Sequence, residues 1–357
     1  MRYAVIMAGG AGKRLWPHSR QCKPKQLLRL VGGKSLMEIA VDRLEGLFEP
    51  EQIFIVTNAE YAEQIAEALP AVPRENIVGE PEGRDTLNAI ALAAEMLAGR
   101  DENATMAVFT ADHVIRPKEC FCRAVQLAMD AAEKHPDALL TFGVQPTWPH
   151  PGLGYIECGP KIDEDVFAVA AFKEKPDHVT ARQYVESGGY FWNSGMFVWT
   201  LRAIRNAIAA FAQDSAKKLA PIREASAKGN DFTKLLAKIY PTLEKISIDF
   251  AVMEKAQNVM MVALNCEWID LGSWPSLEEV VDLDQQGNVI VAENHVIMDS
   301  FRNVIVGSGD HLLAVLGVDD CIIVHSPDAT LVCKKTDNQR LKELVAAVEK
   351  TYGNKYL

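Results

Sequence analysis

Gly9-Gly10-Ala11-Gly12-Lys13-Arg14 packs three glycines and two bases into one short stretch, with Lys23 and Lys25 soon after. Those residue types at that spacing suit the binding of an anion. A glycine turn exposes backbone N–H groups, and cations at short range neutralise a polyphosphate. Two familiar phosphate-binding templates do not fit. A dinucleotide fingerprint needs G-x-G-x-x-G, whereas Gly10-Ala11-Gly12 runs into Lys13-Arg14-Leu15. A P-loop needs G-x-x-x-x-G-K-[ST]; Gly12-Lys13 is followed by Arg14, and Gly33-Lys34-Ser35 has Leu28 where the first glycine belongs. The whole stretch MAGGAGKRLWP, Met7 to Pro17, makes a poor helix and a poor strand, so something other than packing is expected to justify its irregularity. A basic surface loop is the bland alternative, and the position directly after an apolar strand argues against it.

The elements that must position this loop alternate along the chain. Continuous apolar runs at Tyr3–Met7, Gln52–Thr57, Ile77-Val78, Met106–Thr110 and Ala138–Val144 read as strands. Between them Ser35–Leu47, Ala59–Leu69, Asp85–Leu97 and Cys120–Lys134 carry helical spacing. That alternation implies an α/β fold, an open and mostly parallel sheet with helices on both faces, and a ligand at the carboxyl ends of its strands. After Gly143 short strands lead to a helix at Val179–Ser187 and to GGYFWNSGMFVWT, an insertion over about 145–200 that is expected to wall off a pocket. Helices are expected within Leu201–Lys255. From Gly287 short β segments punctuated by Asp, Asn and Gly suit a small β-solenoid or β-roll, with NVIV repeated at Asn288–Val291 and Asn303–Val306 without a fixed period. Asp337–Tyr352 reads as a terminal amphipathic helix. The expected division is therefore a catalytic domain over 1–284 and an appendage over 285–357.

Composition narrows the class. The chain has 357 residues, 48% of them hydrophobic and 24% charged, as an ordinary globular protein does. A formal net charge of -11 argues against general nucleic-acid or anionic-membrane binding. MRYAVIMAGG is too short an apolar run for a signal peptide, and no run approaches membrane-spanning length. The seven cysteines include no CxxC pair, so reduced thiols in a cytoplasm are the simplest expectation.

GGAGKRLWPHSRQCKPKQLL resembles the G-G-x-G-x-R-L-W-P-x-S-R-x-x-x-P-K-Q signature of the mannose-1-phosphate guanylyltransferases, sugar nucleotidyltransferases with a GT-A-like fold. EPEGRDT, TADHVI, FKEKPD, YFWNSGMFVW, SIDFAVMEKA and WIDLGSW follow in that family's order, as does LAVLGVDDCIIVHSPDATLV. Longer members with an isomerase domain would need a further cupin-like extension, which is not expected here. The resemblance implies transfer of GMP from GTP to mannose 1-phosphate, giving GDP-mannose and pyrophosphate, with Mg2+ as cofactor.

Each motif then acquires an implied role. In-line attack of one anion on another needs charge neutralisation and alignment more than proton transfer. Arg14 and Lys25 are the implied catalytic cations. Ala8, Gly9, Gly10, Gly12, Lys13, Glu80, Gly83, Arg84, Thr86 and Asp112 form the implied nucleotide-binding set, with Lys23 a weaker candidate. Asp112 and Asp270, each after a strand, are the implied magnesium ligands, since such sites take one or two carboxylates and complete themselves with phosphate and water. Glu80 can accept both N1–H and N2–H₂ of guanine, where uracil or thymine would want an amide. Gly154, Glu174, Lys175 and Asn193 form the implied sugar-phosphate side, with Asp249 as an orienting group and Tyr190, Phe191 and Trp192 as packing.

The sequence departs from the family at Gly83-Arg84-Asp85-Thr86-Leu87-Asn88-Ala89, where G-R-N-T-A-P-A is usual. Asp85 is read either as a helix N-cap or as a charge that alters metal or nucleotide handling, and Asn88 stands where proline is usual. Two other functions compete: a nucleotidyltransferase for a glucose or heptose 1-phosphate, and a non-catalytic subunit that senses a nucleotide sugar. The second should have lost one of Arg14, Lys25, Asp112 or Asp270, and all are present. A homodimer contact through the appendage is expected by analogy of fold alone.

Overall fold

The computed structural model describes residues 1–357 apart from residues 11, 174 and 229–231 and the side chains of residues 227 and 228. It divides into two compact units. One comprises Met1–Gly9, Asp42–Thr110 and Ile115–Trp268; the other comprises Gly10–Val41, Ala111–Val114 and Ile269–Leu357. The units therefore do not follow the expected chain-order division at 284/285: the segment after the first strand belongs with the C-terminal part.

The first unit is built on β1 (Arg2–Ala8), β2 (Ile53–Asn58), β3 (Ile77–Glu80), β4 (Thr105–Thr110), β5 (Leu139–Val144), β6 (Tyr155–Asp163), β7 (Val166–Lys173), β8 (Tyr190–Thr200) and β9 (Val259–Leu264). Among the described residues these form a nine-stranded sheet in the order β3-β2-β1-β4-β8-β5-β9-β7-β6. Parallel pairing joins β3 to β2, β2 to β1, β1 to β4 and β5 to β9. β8 runs antiparallel to both β4 and β5, and β7 antiparallel to β9 and β6.

The sheet is thus mixed, although most of its strands point one way. It is also not open throughout, because β6 pairs with the start of β8 as well as with β7. The pairings β8–β5–β9–β7–β6–β8 close on themselves. The closure depends on the length of β8 and on its break in register between Asn193 and Phe197, where Gly195 takes a left-handed φ of 67°. Its first residues face β6 and its last face β4. Periodicity cannot reveal such a change of partner, which is why the sequence leads to the expectation of an open sheet.

Helices cover both faces, as strand alternation requires. Helix Asp85–Arg100 is apolar nearly all round and accordingly buried nearly all round. It shares a core with Val5, Val56 and Val108 of the sheet and with Ile204, Ile208 and Ile222 of later helices. On the opposite face Phe109 of β4 meets Phe121 of helix Lys118–Lys134 edge-on, their rings 5.6 Å apart. The helix expected over Ser35–Leu47 spans only Leu36–Asp42. Beyond it the amides of Glu45 and Leu47 reach back three residues, to Asp42 and Leu44, in tighter turns.

In the second unit, β10 (Val289–Val291), β12 (Val304–Val306) and β14 (Cys321–Ser326) pair in parallel, β14 pairs antiparallel with β15 (Ala329–Lys334), and β11 (His295–Met298) pairs in parallel with β13 (Leu313–Leu316). Successive parallel coils at irregular offsets make the expected solenoid and explain the inexact repeat. The NVIV asparagines stack: Asn288 Oδ1 accepts from the Asn303 amide at 2.9 Å, and Asn303 Oδ1 accepts from the Cys321 amide at 2.9 Å. The terminal element is a 3₁₀ turn over Lys335–Arg340 followed by an α-helix over Leu341–Tyr352.

Leu15, Trp16, Leu28, Trp274, Val304, Ile322, Leu341 and Val345 share this unit's core. The Trp16 indole donates to the Tyr356 carbonyl at 2.7 Å, and the Trp274 indole to the Trp16 carbonyl at 3.0 Å. Packing therefore does account for the Leu-Trp half of MAGGAGKRLWP, contrary to expectation.

Candidate active site

The second unit brings Gly12, Lys25 and Asp112 together and sets Asp270 on adjoining backbone. Gly12 has a left-handed φ of 67°, and a Cβ there would fall 2.6 Å from Lys25 Cβ and 2.9 Å from Lys25 Cδ. Only glycine lets the Lys25 stem lie along this turn. Lys25 begins a 3₁₀ turn, Lys25–Leu27, in which buried Gln26 donates to the Gly10 carbonyl at 3.3 Å. The Lys25 ammonium donates to Asp112 Oδ2, and the two side chains are only 14% and 19% exposed. Burial pushes the Asp112 carboxyl up, but the Lys25 and His113 charges outweigh it and hold the group down at about 2.

The Leu271 amide donates to the Asp112 carbonyl at 3.2 Å, which sets the backbone carrying Asp270 beside that carrying Asp112. The space above Gly272 is flanked by Asp270 Oδ1 and Arg14 Nη2, at 3.2 and 3.3 Å from where a Cβ would stand. Lys13 and Lys23 are exposed.

Among the described residues, no group of three or more His, Cys, Asp or Glu is disposed to hold a metal by itself. The two aspartates are nevertheless hard oxygen donors on adjoining backbone, and one is already held ionised by a cation. That donor set suits Mg2+, which keeps water and phosphate as its other ligands.

The first unit holds the residues implied for the nucleotide base. Ala8 ends β1, and its carbonyl accepts from the Thr57 hydroxyl at 3.1 Å. A Cβ on Gly9 would stand 3.8 Å from Glu80 Oε2. Glu80 ends β3, is 5% exposed, and accepts at Oε1 from the Tyr240 hydroxyl. Burial lifts its carboxyl to about 7; the Tyr240 hydrogen bond opposes that, and the Asp85 charge adds to it. A Cβ on Gly83 would meet open space. Arg84 donates to Glu82 and to the Pro241 carbonyl.

Asp85 is not the expected N-cap. It lies in the left-handed region at φ 66°, and its Oδ1 accepts from the adjacent Thr86 amide at 2.8 Å. The start of the helix is instead tied to residues 244–248. Asn88 donates to the Arg84 carbonyl at 2.9 Å and the Glu244 carbonyl at 2.7 Å, while its Oδ1 accepts from Ser215 at 3.0 Å. Thr86 Oγ1 accepts from the Ile248 amide at 2.9 Å. Asn88 thus replaces a rigid proline by three hydrogen bonds.

Among the residues implied for the sugar phosphate, the Gly154 carbonyl accepts from the Asn193 amide at 2.8 Å. The Asn193 side chain donates to Asp249 Oδ1 at 2.8 Å, and its Oδ1 accepts from the Gly195 amide at 3.2 Å and the Thr141 hydroxyl at 3.3 Å. Lys175 follows β7 with a positive φ of 39°. Glu174 lies outside the described residues.

The comparisons with known proteins bear on the whole chain. Residues 3–287 match the nucleotidyl transferase family and residues 293–348 the MannoseP isomerase/GMP-like beta-helix domain. The mannose-1-phosphate guanylyltransferase of Klebsiella pneumoniae is 36% identical over 361 residues, covering 100% of this chain and 76% of that protein. That of Escherichia coli gives the same figures. This chain belongs to the mannose-1-phosphate guanylyltransferase family. A solved structure described as a "mannose-1-phosphate geranyltransferase" from Thermus thermophilus superposes with a TM-score of 0.86 at 32% identity, covering 98% of this chain and 99% of that one. Family membership makes the chain a nucleotidyltransferase of α/β fold with a C-terminal β-helix.

Two features of this guanylyltransferase fold escaped sequence reasoning. Tyr240 stands in a helical stretch with no motif around it, so nothing linked it to Glu80. Gln26 is part of the resemblance, but its role in propping the Gly10 carbonyl needs the turn geometry.

Proposed function

We propose that this enzyme transfers GMP from GTP to α-D-mannose 1-phosphate, releasing pyrophosphate. The observation that carries the reading is the whole-chain likeness to mannose-1-phosphate guanylyltransferases, together with the presence of Arg14, Lys25, Asp112 and Asp270. The catalytic domain is assigned to 1–284, including a sugar-binding insertion over about 145–200, and the β appendage to 285–357; the two family matches support that division.

Lys25, packed along the glycine turn, and Arg14 neutralise the triphosphate and the charge that builds as pyrophosphate leaves. Backbone amides of Gly9, Gly10 and Gly12 add donors. Asp112 and Asp270 would hold Mg2+, which would supply Lewis-acid neutralisation of phosphate oxygens. The Lys25 ammonium, held by Asp112, stands pre-aligned for phosphate and costs little reorganisation. Glu80 accepts from guanine N1–H and N2–H₂. Gly83, Arg84 and Thr86 hold the loop that presents it. Glu174 and Lys175 receive the sugar and its phosphate, and Asn193 fixes Asp249 on the same side. The reduced thiols suit a cytoplasmic enzyme, for which neither nucleic acid nor membrane is a partner.

Pyrophosphate release is the test, crossing GTP, ATP, UTP and dTTP against mannose, glucose and heptose 1-phosphates, with Mg2+ and with chelator. Release confined to GTP, mannose 1-phosphate and Mg2+ is expected. A different preferred pair would overturn the substrate assignment, and no release with any pair would overturn the reaction.

A further inference from the structure

Residues 240–249 form a strap across the Glu80 loop. The Tyr240 hydroxyl donates to Glu80 Oε1, the Pro241 carbonyl accepts from Arg84, the Glu244 carbonyl accepts from Asn88, and the Ile246 carbonyl accepts from the Leu87 amide at 3.3 Å. The Ile248 amide donates to Thr86, and Asp249 accepts from Asn193. The segment thus reaches Glu80, Arg84, Thr86, Leu87 and Asn88 at and before the start of helix Asp85–Arg100. Tyr240 itself is fully buried. It is the strap's only side chain among these contacts that touches the carboxylate assigned to base reading.

We propose that Tyr240 is a positioning residue for nucleobase specificity, its hydroxyl fixing the Glu80 carboxylate in the orientation and the ionised form that guanine requires. This rests on the reading of Glu80 as the guanine acceptor. A buried carboxylate has free rotation about its last torsion unless one oxygen is anchored, and a mis-rotated one presents a single acceptor. With Oε1 held by the phenol, Oε2 is left on the side of Gly9, a residue with no side chain to fill that space. Each carboxylate oxygen has a second lone pair, so Oε1 can still accept from a base while bonded to Tyr240.

The same contact favours the anion. Burial and Asp85 both resist ionisation of Glu80, and the Tyr240 hydrogen bond is the interaction that opposes them. Burial and the Glu80 charge push the Tyr240 hydroxyl up, and the Arg84 charge, which also faces it, pulls it down. A protonated Glu80 would present a donor to guanine N1–H, and recognition would fail.

The experiment is Tyr240→Phe, which removes one oxygen and keeps the ring, assayed for kcat/KM with GTP and ITP from pH 6 to 9. ITP lacks the 2-amino group. Expected is a loss of about tenfold with GTP at pH 7, the size of one hydrogen bond to a charged group, with the midpoint of the pH profile moved upward and the loss shrinking by pH 9. A uniform loss at every pH, or an unmoved profile, would overturn the role of Tyr240. Glu80→Gln separates the two readings. If that variant leaves the GTP-to-ITP ratio unchanged, the base-reading assignment itself falls. If it collapses the ratio while Tyr240→Phe does nothing, only the Tyr240 proposal falls. In the Glu80→Gln background, adding Tyr240→Phe should leave the pH profile with GTP where Glu80→Gln alone puts it, because the carboxylate whose ionisation the hydroxyl sets is already gone; a moved profile there also counts against the proposal.

Discussion

At the residue scale the chemistry turns on carboxylates that the fold pushes in opposite directions. Asp112 is held ionised by Lys25 and His113, whereas burial leaves Glu80 near neutrality in its tendency to ionise, at about 7. The sign of the pH dependence follows. Glu80 must be deprotonated to accept from guanine, so kcat/KM for GTP should rise as pH rises through about 7 and flatten above it. A profile that falls over that range would remove Glu80 from base reading. Glu80→Gln, which trades two acceptors for one acceptor and one donor, should erode the preference for GTP over UTP and dTTP. For the phosphate side, Lys25→Ala and Asp112→Ala should each lower turnover by about 100-fold or more, the usual scale for a charge-stabilising group, with an unchanged far-UV circular dichroism spectrum. Near-normal pyrophosphate release from either variant would sink its assigned role.

At the element scale the informative positions are Gly12 and Asn88. An alanine at Gly12 meets both a left-handed φ and the Lys25 stem at 2.6 Å. Gly12→Ala should therefore mimic Lys25→Ala in assays while the far-UV circular dichroism spectrum stays normal; full activity would show that the turn does not set Lys25. Asn88 is fully buried and makes three side-chain hydrogen bonds at the start of helix Asp85–Arg100. Asn88→Ala should cost about 1–3 kcal/mol by stranding buried partners, read as a lowered denaturant midpoint. An unchanged midpoint would mean that the strap holds the helix start without it.

At the scale of the whole molecule, the segment Gly10–Val41 shares its core with the C-terminal solenoid rather than with the sheet whose first strand precedes it. The boundary between the two family matches, between 287 and 293, is thus not a boundary of folding. A chain cut after residue 287 would lose Val304, Ile322, Leu341 and Val345 from around Leu15 and Trp16. It should be insoluble or lack turnover, though every implied catalytic residue remains in it. An active, monodisperse fragment would refute this. Trp16→Ala should destabilise the intact enzyme by about 3–5 kcal/mol, as large aromatic truncations in cores do.

The family, the strand–helix alternation and the residue types of the site are legible in the bare chain, because motif order and apolar periodicity are local properties. Gly12 and Lys25, Asp112 and Asp270, Glu80 and Asn193 can all be picked out as residues in this way. Who stands beside whom is a matter for the folded molecule. The closure of β8 onto β6 depends on where one strand changes partner. The burial of Leu15 and Trp16 depends on a solenoid that begins some 270 residues later in the chain. Asp85 departs from its expected role because a capping residue type says nothing of the φ it adopts, and Tyr240 stays illegible because no spacing links it to Glu80 across 160 residues. Contacts at that separation are fixed by packing of the whole chain, and no local pattern encodes them.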